Sequence, residues 1–348
     1  MQPKIPEKNK KPGICYAVTD DGLELPVIDV TNPAFEVSPD ENELNVLIQK
    51  YLQNVGDTEK APAFLRELIF RFMRRRSVIM RGLMGSDGTF LSGMNTYMLK
   101  LGPDNLNKGY FSNIDRRITE SPAGIFARLR LQDISRLLAD DLAVRLSADK
   151  KAALHMLNIG SGPAIDGINA LIVLQKEHPG LLDGRQVFIH SLDLDNAGPN
   201  FGARALAALQ GENGPLHGLD VHFGHIPYDW SKPETLRDFL NSLDGQNIFA
   251  ASSEGALFEY GSDEEVTGNL RVLSDVTPGD TIVTGSVTRG DELGRKVNSG
   301  SRAALQFRGL EAFSALALGA GWKVETSMDR PLSHDVLMKK GLEYDLHP

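Results

Sequence analysis

The sequence predicts an α/β fold, a doubly wound seven-stranded sheet that closes with a C-terminal antiparallel hairpin and is preceded by a helical N-terminal cap. Three observations carry this. From Glu41 to about Leu146 the apolar residues recur at helical spacing, as in Leu44, Leu47, Ile48 and Leu52, and again in Ile125, Leu129, Ile134, Leu137, Leu138 and Leu142. After Ala148 short apolar strands alternate with helical stretches, the rhythm of a parallel sheet covered on both faces. The last two apolar runs, Trp322–Ser327 and Asp335–Lys339, are joined by a short loop containing Pro331, which suits an antiparallel pair.

In chain order, residues 1–40 read as an N-terminal arm rich in Pro, Lys and Asp, with one apolar run, Leu23–Val30, expected as an isolated strand or extended segment. Residues 41–147 form the helical cap and substrate module. Its expected interruptions are turns at Gly82–Gly88 and Gly102–Asn105, and Ser121–Pro122, which suits an N-cap followed by a first-turn proline. Residues 148–348 form the sheet domain, with strands expected at His155–Ile159, Val187–Leu192, Val221–Phe223, Asn247–Ala251 and Thr281–Gly285 before the closing hairpin.

Composition narrows the partners. A formal net charge of −9 over 348 residues argues against a general affinity for nucleic acid or anionic membrane, which is built on clustered Lys and Arg. The one basic cluster, Arg71, Arg74, Arg75, Arg76 and Arg81, shares a helix-like segment with Leu65, Leu68, Ile69, Phe72 and Met73, so it reads as a solvated or substrate-facing surface. Cys15 is the only cysteine, which rules out an intrachain disulfide. The charged start MQPKIPEKNKKPG lacks the apolar core of a secretion signal, and no run of eighteen apolar residues occurs, so a soluble cytoplasmic protein is expected. The histidines do not fall at paired ligand spacing, and no metal site is expected. A small-molecule substrate is the expected partner, and the sequence is compatible with a homodimer.

The segment Leu154–Gly167, LHMLNIGSGPAIDG, reads as strand, glycine turn and helix, a nucleotide site in which Gly160, Ser161 and Gly162 bring the backbone close to a ligand. A carboxylate that takes both ribose hydroxyls belongs at the tip of the next strand. Asp193 of IHSLDLD stands there, with Asp195 the second choice. At the third tip, VHFGHIPYDW sets Asp229 between Tyr228 and Trp230, where an adenine ring fits between aromatic faces. The plainer readings are strand-end packing for the two rings and a cap on the helix beginning at Ser231 for Asp229.

This order of motifs resembles the class I S-adenosylmethionine-dependent methyltransferases, whose Rossmann-like domain would span roughly residues 150–340. The resemblance implies that Gly160 and Gly162 contact the methionine part and ribose, Asp193 the ribose and Asp229 the adenine, with S-adenosyl-L-methionine as cofactor. It also implies the closing hairpin. Two positions depart from the family pattern: Asn158 where many members carry an acid, and Ala164 in place of a third glycine. The stretch SEGALFEY is similar to a short pattern of leucine carboxyl methyltransferase-like enzymes, and no substrate is transferred from it. At the fourth strand tip, Ser252, Ser253, Glu254 and Tyr260 crowd one turn, with Ser253 expected at the cofactor and Glu254 and Tyr260 as catalytic candidates. Tyr260 also suits a cation–π contact with a sulfonium. The plainer readings are a packing tyrosine and a carboxylate favoured by a helix N-terminus. His222 and His225 are further candidate bases, and Tyr97, Lys100, Tyr110, Arg128 and Arg130 are cap residues that would hold an acidic or zwitterionic substrate.

The expected activity is methyl transfer to a small molecule. Three alternatives stay open. A cofactor-consuming cyclisation would give azetidine-2-carboxylate and methylthioadenosine. A nicotinamide oxidoreductase shares the glycine turn and ribose acid but needs a glycine where Ile165 stands. A non-catalytic partner would keep the fold alone.

Overall fold

The computed structural model describes residues 5–60, 62–85, 92–243, 247–298 and 304–341. The arm is a small antiparallel hairpin of β1 (Tyr16–Val18) and β2 (Glu24–Pro26). It is strapped down rather than free. Leu23, Leu25, Val27 and Ile28 are buried in the same apolar cluster as Leu101 and Leu131 of the cap and Leu154 and Met156 of the sheet. The Tyr97 hydroxyl donates to the Pro26 carbonyl at 2.6 Å and accepts from the Ile28 amide at 3.1 Å, and the Asn169 side chain brackets Ile28 and Val30. Backbone groups left open by so short a hairpin are thereby satisfied.

The cap comprises α1 (Glu41–Lys60), α2 (Ala63–Arg76), α3 (Val78–Gly85), α4 (Gly93–Lys100), α5 (Asn113–Glu120) and α6 (Pro122–Ala148). Leu44, Leu47, Ile48 and Leu52 of α1 pack against Phe126 and Leu129 of α6, as their spacing requires. Helix α2 buries nothing. Phe64 is 75% exposed, and Arg71, Arg74, Arg75 and Arg76 stand in solvent, so the basic cluster is a solvated face. Gly82 lies inside α3, not in a turn. A Cβ there would sit 2.0 Å from the Asn95 side chain, so this glycine serves helix–helix approach; residues 86–88 of the expected turn lie outside the described residues. Gly102 does turn, at φ +77°, and Pro122 opens α6 after Ser121 as expected, although the Ser121 hydroxyl bonds back to the Ile118 carbonyl instead of capping.

The sheet holds β3 (Ala153–Ile159), β4 (Val187–Asp193), β5 (Val221–Pro227), β6 (Asn247–Ser253), β7 (Ile282–Thr288), β8 (Trp322–Asp329) and β9 (Ser333–Lys340), in the order β5-β4-β3-β6-β7-β9-β8. Only β9 runs against its neighbours, pairing antiparallel with both β7 and β8. Every expected strand is present. β5 extends furthest past its apolar run, to Pro227, because its ladder with β4 continues to Asp193 while its edge position leaves those side chains half-exposed. Alternate residues of β3 enter opposite cores: Leu154 and Met156 meet α6, α7 (Ile165–Glu177) and α8 (Ala197–Leu209), whereas Leu157 and Ile159 meet the other layer. There α9 (Pro233–Asn241) comes before α10 (Leu257–Tyr260), a single turn at the β6 tip, then α11 (Asp263–Val276) and, after α12 (Glu292–Asn298), α13 (Gly309–Gly319). The chain reverses direction across the sheet between β3 and β6, which opens a crevice at their carboxyl ends. Among the described residues no helix is long and apolar enough to cross a membrane.

Candidate cofactor site

The turn after β3 uses three left-handed positions at alternate residues: Gly160 at φ +67°, Gly162 at +55° and Ala164 at +53°. A Cβ on Gly160 would meet the Trp230 ring at 2.6 Å and Ala256 at 2.8 Å, so only glycine fits both the backbone and the space. Gly162 is clasped between Gly93 of the cap and Gly198 of α8, and a Cβ built on it would lie 2.7 Å from the Gly93 Cα. Ala164, at the position of the missing third glycine, is fully buried and holds the left-handed conformation despite its methyl group. The Ser161 hydroxyl is buried and has no hydrogen-bond partner.

Beside the turn opens a cavity of about 460 Å³, within the range of small-molecule sites. It is lined by Gly160, Asp193, Tyr228, Asp229, Trp230 and Tyr260, with Asp195, Ala256 and the cap residues Ser92 and Gly93. Asp193 sits where strand tip and turn meet: its carboxylate accepts from the Gly162 amide at 2.9 Å and the Asp195 amide at 2.8 Å. Burial raises its carboxyl above the ordinary range, and those two amides pull against the shift. The His225 imidazole lies 2.9 Å from the Asp193 carbonyl and braces this tip.

The other lining groups divide. Tyr228 is buried and donates its hydroxyl to Asn269, while remaining part of the cavity wall. The Asp229 carboxylate accepts from the Ser231 amide and hydroxyl at 3.1 and 2.7 Å and pairs with Lys232 at 3.2 Å, so its oxygens serve the turn into α9, and those bonds hold its pKa below the usual range. Burial raises the Tyr260 phenol, which therefore keeps its proton at neutral pH.

On the far side of Gly160 the β6 tip meets the cap in a buried ionic network. Glu254 accepts from Lys100 of α4 and, at 2.6 Å, from Nε of Arg130 on α6; Arg130 Nη1 also donates to Glu259 at 2.9 Å. Burial alone would raise the Glu254 carboxyl, but the Lys100 ammonium and the Arg130 guanidinium outweigh it and hold the pKa at about 2. A carboxylate so stabilised is a weak proton acceptor at neutral pH. Gly255 is required beneath it, since a Cβ there would lie 2.4 Å from Arg130 Nη2.

Several expected residues are spent elsewhere. Ser253 lies outside the cavity lining: it is fully buried, its hydroxyl donating to the Ile159 carbonyl and accepting from the Leu257 amide at 2.9 Å, which ties the β6 tip to α10. His222 is at the opposite end of β5, paired with Asp220. Tyr97 fastens the arm, Tyr110 packs on Phe111, and Arg128 lies over Gly102. Asn158, where an acid was anticipated, is buried and donates to Asp166 at 2.9 Å and Ser252 at 2.8 Å. Sequence reasoning missed Gly93, Gly255 and Glu259, whose roles depend on contacts distant in sequence. Among the described residues no group of His, Cys, Asp and Glu is arranged to hold a metal.

No family model and no curated protein matches the chain. A solved structure described as a possible exported protein from Bordetella parapertussis is similar over 88% of this chain and 100% of its own, with TM-score 0.56 and 16% identity. The likeness in fold rests on that match. The 1,6-didemethyltoxoflavin-N1-methyltransferase of Burkholderia thailandensis, solved with its substrate and S-adenosylhomocysteine, aligns with 61% of this chain and 79% of its own, with TM-score 0.38 and 18% identity. Mitomycin 7-O-methyltransferase aligns with 80% of this chain and 74% of its own, with TM-score 0.40 and 13% identity. With its strand order β5-β4-β3-β6-β7-β9-β8, antiparallel β9 and terminal hairpin, the chain is class I methyltransferase-like in fold.

Proposed function

We propose that the protein binds S-adenosylmethionine beside the Gly160 turn and transfers its methyl group to a small molecule. The observation that carries this is Asp193, a half-buried carboxylate held by the Gly162 and Asp195 amides at the rim of a cofactor-sized cavity. Gly160 in the cavity wall and the partnerless Ser161 hydroxyl fit the same ligand. In this reading Asp193 takes the ribose hydroxyls, with Asp195 beside it, and Tyr228 and Trp230 flank the adenine. Asp229 shapes the rim through Ser231 and Lys232.

When bound, S-adenosylmethionine supplies a methyl group already activated by its sulfonium. The protein's own task is then alignment and exclusion of water. Gly93 and Ser92 close the turn from the cap side, and Tyr260 offers a neutral aromatic wall. The two cationic partners of Glu254 make it a poor general base, which favours an acceptor that arrives as a ready nucleophile over one needing deprotonation there. Calorimetry with S-adenosylmethionine and S-adenosylhomocysteine tests the reading: micromolar binding is expected, and release of S-adenosylhomocysteine should depend on an added acceptor. Absence of binding by both would overturn it. Methylthioadenosine formed without an acceptor would overturn methyl transfer in favour of cyclisation.

A further inference from the structure

Across the turn from the cavity of about 460 Å³ lies a second, smaller chamber of about 10 Å³, and the two share Gly93, Gly160 and Gly255 in their walls. Its walls carry Lys100, Glu254 and Ser161. Lys100 and Glu254 are 4% and 3% exposed at their side chains and bind one another, and the buried Ser161 hydroxyl has no partner. Together the two compartments describe a ligand with a nucleoside at one end and a small doubly charged group at the other.

We propose that Lys100 and Glu254 are the counter-charges for the amino-acid end of the cofactor, Lys100 taking its carboxylate and Glu254 its ammonium, with Ser161 as an additional hydrogen-bonding group. This rests on the cofactor reading above. The chemistry is an exchange of partners: a zwitterion entering between Lys100 and Glu254 keeps opposite charges adjacent, so neither buried ion is left uncompensated. Arg130, bonded to the other oxygen of Glu254 and to Glu259, keeps that carboxylate in place during the exchange. A chamber of about 10 Å³ holds no more than a water, so its wall must shift. Helix α4 is the wall that shifts, because it carries both Gly93, packed on Gly162, and Lys100. The cap is then part of the cofactor site and reports its occupancy.

Isothermal calorimetry with three ligands tests this on the unaltered protein: S-adenosylhomocysteine, its decarboxylated analogue, and 5′-methylthioadenosine, which lacks the amino-acid end. S-adenosylhomocysteine is expected to bind at least tenfold more tightly than the decarboxylated analogue. In Lys100→Met that advantage should vanish, while 5′-methylthioadenosine binds within twofold of the unaltered protein. Lys100→Arg should restore part of the advantage. Equal affinity of the intact and decarboxylated ligands for the unaltered protein overturns the proposal, as does an equal loss of all three ligands in a folded Lys100→Met. If the unaltered protein binds 5′-methylthioadenosine but not S-adenosylhomocysteine, this inference fails and a nucleoside site survives. If it binds none of the three, the cofactor reading fails and takes this inference with it.

Discussion

On one side of Gly160 lies an open cavity of about 460 Å³ whose key carboxylate, Asp193, is held by backbone amides; on the other lies a chamber of about 10 Å³ whose charges hold one another. The first is built within one sheet, from turns that follow adjacent strands. The second is built between layers, from α4, α6 and the β6 tip. The difference shows in the acids themselves. Asp193, held by amides and paired with no Lys or Arg, is raised by burial, whereas Glu254, still more deeply buried, is driven to about 2 by Lys100 and Arg130. Under the proposed reading, backbone dipoles suit the open side to a neutral nucleoside and full charges suit the narrow side to an ionic group.

The largest expected break in this contrast is Arg130→Met. Removing one member of a buried ionic network strands the others, here Glu259 and one oxygen of Glu254, at a cost of about 3 kcal/mol or more. Urea unfolding should report it, and a loss below about 1 kcal/mol would mean the network is solvated. The second test is acid. Because the folded pKa of Glu254 is depressed from 4.5 to about 2, its contribution is fully present above about pH 4.5 and is lost as pH falls through about 2. The loss amounts to a few kcal/mol at most, at about 1.4 kcal/mol per pKa unit. Glu254→Gln should flatten the stability profile in that window, and an unchanged slope would show that other carboxylates set it.

Smaller effects belong to the open side. Asp193→Ala should weaken S-adenosylhomocysteine more than tenfold, or about 1.4 kcal/mol, in calorimetry, and should weaken 5′-methylthioadenosine to the same degree because both carry the ribose. Unchanged affinity removes Asp193 from the ribose role. Asp229→Ala should alter affinity by less than about threefold, roughly 0.7 kcal/mol, since its oxygens already serve Ser231 and Lys232. A loss above tenfold would restore Asp229 as a direct adenine contact.

Legibility in the sequence followed the same division. The strands stood out because inward-facing residues on both faces of a covered sheet must be apolar, and the turn stood out because φ near +60° beside a tryptophan admits glycine. Asp193 could be placed because strand tips in a parallel sheet point to one crevice. Glu254 stood out as a carboxylate at a strand tip, but the Lys100 and Arg130 cations that hold it are distant in sequence and left no local mark. Ser253 was over-read, because a hydroxyl at a tip carries no mark of whether it faces the cavity or ties its own turn.

By itself, the sequence determined the doubly wound sheet, its closing hairpin, the glycine turn and the acid opposite it, since each depends on periodicity, backbone conformation or chain order over a few tens of residues. Only the tertiary structure decided that Gly93 would rest on Gly162, that the Asp229 oxygens would turn inward to the chain, and that Lys100 would meet Glu254 from 154 positions away. The physical reason is that a buried ion pair needs just two opposite charges brought together as layers pack. Nothing in local spacing records which pair that will be.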